Sequence, residues 1–140
     1  MIQRITFIVL VILIFSCKKE PEDPYVWKEL KVKVTAYNST FAQTDGHPFV
    51  AAWGDTLKPG MKVVAVSRDL LRMGLKRNTP VKIKGLDSIY VVMDKTHGRK
   101  RNQIDVYMGT DIKKAKKWGI KRLNIHYGIL KSELPNDSVH

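Results

Sequence analysis

Ile89-Tyr90-Val91-Val92-Met93-Asp94-Lys95-Thr96-His97-Gly98-Arg99-Lys100-Arg101-Asn102-Gln103-Ile104-Asp105-Val106-Tyr107 is the stretch on which the reading of the chain turns. Two short runs rich in β-branched and aromatic residues, 89–93 and 104–107, flank a polar, basic loop containing Gly98, so they read as two strands. Each carries one carboxylate: Asp94 closes the first run and Asp105 lies near the start of the second. Aspartate fits a half-buried pleated surface badly. Turn chemistry explains either residue alone. Two of them at adjoining strand ends point to a polar site built on a β scaffold.

Working outward, residues 30–37 alternate lysine with Leu30, Val32 and Val34, the pattern of a half-buried strand. Residues 61–66 are almost wholly apolar and follow the turn pair Pro59-Gly60, which suits a core strand. Residues 81–85 alternate and join 88–93 through Gly85-Leu86-Asp87, a hairpin signal; 104–108 and 122–126 complete six strands. Two short helices interrupt them. Ser67 is placed to cap a turn through Leu70, Leu71 and Met73 that ends at Gly74. Thr110 or Asp111 caps a second, with Ile112, Ala115 and Trp118 expected inward at helical spacing and Gly119 as the stop. Six short strands with small helical inserts predict a mainly β fold, a small closed barrel.

The N-terminus predicts location. Met1-Ile2-Gln3-Arg4 carries one positive charge, an apolar run follows over 5–15, and Ser16-Cys17 ends it. That is the order of a secretory signal, too short for a spanning helix of about 20 apolar residues. The single cysteine at the cleavage point resembles a bacterial lipoprotein signal, in which Cys17 becomes the lipidated first residue. The expected organisation is signal 1–16, lipidated Cys17 and a charged, proline-containing tether through 27, a barrel domain over 28–131, and a frayed tail over 132–140. Location would then be the cell envelope, anchored to a bacterial membrane and facing the periplasm, with the outer membrane expected. Lys and Arg number 25 against 13 Asp and Glu, a formal +12 that becomes +11 without Arg4. So basic a surface favours anionic partners. An exported, membrane-tethered chain seldom meets nucleic acid, and the basic residues form no nucleic-acid motif. Anionic envelope polymers are the partner class that remains.

The residues also carry a family resemblance. Val34-Thr35-Ala36-Tyr37, Gln43-Thr44-Asp45-Gly46, Ala52-Trp53-Gly54, Val64-Ala65-Val66-Ser67, Val92-Met93-Asp94 and Ile104-Asp105-Val106-Tyr107 occur in the order of the 3D (Asp-Asp-Asp) domain, from about residue 32 to 125. That domain is similar to the catalytic part of MltA-type lytic transglycosylases. The resemblance implies a double-psi β-barrel and non-hydrolytic cleavage of the MurNAc–GlcNAc bond of peptidoglycan, leaving a 1,6-anhydro end. Asp105 matches the family's catalytic acid/base, and Asp94 the aspartate that opens its Gly-rich loop. Where the third aspartate usually stands this chain has Ser67, with Asp69 two residues on. The loop 95–98 also departs from the usual small, Gly-rich stretch.

The chemistry agrees with so small a set. A hydrolytic glycosidase normally divides acid and nucleophile or base between two carboxylates. A lytic transglycosylase needs one acid/base, because the sugar's own C6 hydroxyl attacks the anomeric carbon and returns a proton to the group that first gave one. Thr35, Tyr37, Gln43, Thr44 and Lys95 are the expected substrate-binding residues. Tyr37 offers a stacking face and a hydroxyl. Trp53 is a candidate rim residue for sugar stacking, and Trp118 a core residue. His47, His97 and His126 have no Cys or carboxylate partners at ligand spacing, and no phosphate loop or Gly-x-Ser-x-Gly elbow occurs. No metal and no cofactor is expected, and the chain reads as a monomer. A non-catalytic glycan-binding lipoprotein on the same barrel is the competing reading, distinguished by whether Asp94 and Asp105 converge in one groove beside Tyr37.

Overall fold

The computed structural model describes residues 20–40, 47 and 49–135. The chain runs β1 (Tyr25–Tyr37), β2 (Val63–Val66), α1 (Arg68–Arg72), β3 (Pro80–Ile83), β4 (Ile89–Lys95), β5 (Gln103–Tyr107), α2 (Ile112–Trp118), β6 (Lys121–Leu130) and a final 3-10 turn (Lys131–Glu133). The strands close into a barrel in the order β1-β5-β2-β4-β3-β6. Pairings β1–β5 and β2–β4 are parallel and the other four are antiparallel. Exchanging β1, β2 and β3 for β4, β5 and β6 reproduces the same neighbours, so the strand order has two-fold pseudosymmetry. The fold is thus mainly β, a closed six-stranded barrel with two short helices.

Alternation builds the interior. Val32 and Val34, Val64 and Val66, Val92, and Ile104 and Val106 project into one core and are all at most 1% exposed. Burying each such side chain contributes roughly 1.5–3 kcal/mol. The opposite face of β2 is covered too. Val63 packs with Ala51, Leu57 and Tyr107 in a second, smaller cluster outside the barrel, joined by Tyr37, Met61 and Met93. With both faces covered, β2 has no need of polar alternation, which accounts for its continuous apolar sequence.

Three expectations need correction. β1 starts at Tyr25 rather than near residue 30, so Tyr25, Val26 and Trp27, read with the tether, are strand paired to Leu130, Ile129 and Gly128. The charges of Lys28 and Glu29 mask this in the sequence, and Gly128 permits it. A Cβ there would lie 2.9 Å from Pro80 and 3.0 Å from the Tyr25 ring. Ser67 stands at the start of α1 but makes no side-chain cap; its hydroxyl instead accepts the Gln103 N–H at 3.1 Å. Ile112, expected inward, is 43% exposed, because the seven-residue α2 meets the core through Trp118. Asp111 does cap that helix, accepting the Lys114 N–H at 2.9 Å.

Candidate functional site: a carboxylate row on the barrel's outer face

With Ile104 and Val106 committed to the core, period two turns Gln103, Asp105 and Tyr107 outward. Strand pairing then aligns a row across four strands. Thr35 of β1 pairs with Asp105 of β5, Asp105 with Ala65 of β2, and Ala65 with Asp94 of β4. Asp94 reaches this row through an irregularity: Val64 pairs with Val92 but Ala65 with Asp94, skipping Met93. Regular pairing would set Met93 opposite Ala65 and turn Asp94 toward the core side. The extra residue re-aims it, a known use of β-bulges. Between the two aspartates Ala65 presents only a methyl.

Asp105 is half-buried and held from one side. Its Oδ1 accepts from the Thr35 hydroxyl in a very short contact and from Gln103 Nε2 at 2.6 Å. Gln103 Nε2 also donates to Thr35 Oγ1 at 3.0 Å, so the three side chains brace one another. Gln103 is 1% exposed, and its Oε1 finds no partner among the described residues. Asp105 Oδ2 receives no hydrogen bond from a described residue.

Asp94 is occupied differently. Its Oδ1 accepts the N–H groups of Ala52 and Lys95, each at 2.8 Å, and its Oδ2 accepts the Tyr37 hydroxyl at 3.1 Å. Asp94 therefore ties the loop carrying Ala52 and Trp53 to β4, and β1 to both. Tyr37 packs its ring against Tyr107 at 5.4 Å between centroids and lends the site its hydroxyl rather than an open face. Burial, then the charges and hydrogen bonding of Asp94 with smaller effects of Tyr107 and Asp105, push the Tyr37 phenol well above its ordinary range, so it stays a donor. Asp94 and Asp105 thus stand on one outer row with β2 between them; Tyr37 bonds to the first, and the charges of both act on its phenol.

Of the other expected residues, Thr35 is in the Asp105 cluster. Lys95 is exposed at the rim, its ammonium 4.6 Å from the Trp53 ring centre. Gln43, Thr44 and Cys17 lie outside the described residues. The cations of the 95–101 loop are exposed rather than turned inward, and Arg101 is spent on the carbonyls of Gly98 and Lys100 at 2.6 and 2.8 Å. Ser67 meets the cluster through the Gln103 backbone, whose N–H its hydroxyl accepts, while Asp69 stands apart: it accepts the Asn102 N–H at 2.8 Å, pinning the end of that loop to α1. Gln103 was missed. Its two-residue spacing from Asp105 was the available signal, since a buried glutamine on an aspartate's strand face needs a polar partner.

Comparison with protein-family models and with curated proteins finds no match for this chain.

Proposed function

We propose that this protein is a lytic transglycosylase-like enzyme of the 3D-domain kind, cleaving the MurNAc–GlcNAc bond of peptidoglycan with Asp105 as the single acid/base, from a membrane to which Cys17 anchors it. The observation that carries the reading is the asymmetry of the two carboxylates. Asp105 has one oxygen braced by Thr35 and Gln103 and the other uncommitted among described residues, while both oxygens of Asp94 are taken. A two-carboxylate hydrolysis would need a second group with a free oxygen for water or for the anomeric carbon. Asp94 has none to offer without breaking the loop's anchorage, whereas a transglycosylase asks for one.

The steps balance without water. The Asp105 carboxyl gives its proton to the glycosidic oxygen as the C1–O bond breaks. The C6 hydroxyl of the same MurNAc closes on C1, forming the 1,6-anhydro ring, and its proton returns to the Asp105 carboxylate. Thr35 and Gln103 hold the carboxyl in place through both transfers, and Tyr37 with Asp94 shapes the neighbouring wall.

The test is digestion of purified peptidoglycan, followed by mass measurement of released muropeptides. Wild type is expected to release anhydro-muropeptides. Asp105→Asn, nearly isosteric and unable to carry the proton, is expected to lose at least about 10²–10⁴-fold in rate while keeping its fold. Equal rates in the two proteins would remove Asp105 as the acid. A wild type that binds sacculi and releases nothing would make the chain a non-catalytic wall-binding lipoprotein.

A further inference from the structure

A second feature lies along the strands from the carboxylate row. A cavity of about 650 Å³ opens where β5 ends, β2 begins and the β3–β4 hairpin meets α2. That volume is in the range of small-molecule sites, about 300–1,000 Å³. Lys62, Lys114, Lys117 and Lys121 line it, all exposed. Two acidic residues, Asp87 and Asp111, also line it, the latter capping α2, so four ammonium groups face two carboxylates and the lining keeps a cationic excess. Two of the lysines lie over aromatic rings of the wall: Lys121 is 3.9 Å from the Trp118 ring centre and Lys62 is 5.9 Å from that of Tyr90. Packing of this kind restrains long flexible side chains, and the result is a basic pocket with a partly apolar wall.

Its position is fixed by register. Lys62 precedes Ala65 by three residues, roughly 10 Å at about 3.3 Å per residue. Tyr107, which lines the cavity, stands two residues from Asp105 on the same strand face and packs on Tyr37. A chain lying across Asp105 therefore has its next portion, or a branch from it, within reach of this pocket.

We propose that the cavity is a subsite for the acidic peptide branch of the glycan, taking its carboxylates on Lys62, Lys114, Lys117 and Lys121. The assignment rests on the glycan reading of the Asp105 site. Lysines recognise charge without demanding the planar two-point geometry that arginine imposes, which suits several carboxylates on a flexible branch. A bare glycan of neutral sugars lacks the group these lysines attract.

The test reads the pocket directly and needs no turnover. The Trp118 indole resonance of the whole chain is followed by NMR during titration with muramyl dipeptide, with neutral chitotetraose, and with inorganic phosphate. Muramyl dipeptide is expected to shift Trp118, and a Lys114→Gln/Lys117→Gln double variant to bind it at least about tenfold more weakly. Chitotetraose is expected to leave Trp118 unmoved. A silent Trp118 with muramyl dipeptide, or undiminished binding by the double variant, overturns the subsite. An equal response to phosphate at the same concentration overturns the peptide assignment in favour of a general anion pocket. Since Asp105→Asn reports on cleavage and Trp118 on occupancy, either reading fails on its own evidence.

Discussion

Thr35 is the residue through which the site's design is most easily probed. Its hydroxyl donates to Asp105 and accepts from Gln103, so it serves both neighbours at once. Valine has nearly the same shape and an equal liking for strands, which makes Thr35→Val a test of the hydroxyl rather than of the fold. A hydrogen bond to a charged group is worth about 1.5–3 kcal/mol, and each 1.4 kcal/mol is a factor of ten in rate. Turnover on peptidoglycan is therefore expected to fall by about 10–100-fold, with the circular dichroism spectrum unchanged. A variant with wild-type turnover would mean that Gln103 alone suffices to hold Asp105. At this scale the sequence was informative about charge and poor about partners. Asp94 and Asp105 announce themselves because aspartate is out of place in a strand. Gln103 sits at the end of a polar loop, where a glutamine attracts no notice until the register buries it.

Elements show the same division. The six strands follow from alternation and turn residues, local signals that the chain carries openly. Which strands become neighbours is not local. The parallel pairs β1–β5 and β2–β4 join segments far apart in sequence, and the bulge at Met93 that turns Asp94 outward leaves no mark in Val92-Met93-Asp94. The tie between α1 and the basic loop was also invisible, and it yields a pH prediction. Burial acts to raise the pKa of Asp69, but hydrogen bonding with Ser67 and the Asn102 N–H outweighs it and the value ends below 3.8. A carboxylate held below its unfolded value stabilises the fold at neutral pH, and that contribution fades as pH falls below about 4 and disappears beneath the folded value. Asp69→Asn removes the titration. Thermal unfolding followed from pH 6 down to 2 is expected to show wild type more stable at the neutral end, with the two proteins converging toward the acid end. Parallel curves would show that Asp69 takes no part in the acid response.

At the scale of the whole molecule, the excess of cations bears on how the protein would meet the wall polymer of the proposed function. The 25 basic side chains outnumber the acidic ones nearly two to one, and many of them stand exposed: Lys95 at the site rim, Arg99 and Lys100 on the loop, and the four lysines of the cavity. A surface of this kind draws a polyanion from a distance set by screening, about 10 Å at 0.1 M salt and about 3 Å at 1 M. On the proposed reading, capture and chemistry rest on different residues, since Asp105 is a single side chain against a formal net charge of +12. Binding of the protein to purified sacculi, measured by sedimentation, is expected to weaken more than tenfold between about 0.05 and 0.5 M salt, following that shrinkage of the screening length. Asp105→Asn should follow the same curve as wild type, because the substitution leaves every cation in place. Binding equally strong at both salt concentrations would assign recognition to neutral sugar contacts instead. A variant that binds more weakly than wild type at every salt concentration would place Asp105 in substrate capture as well as in catalysis.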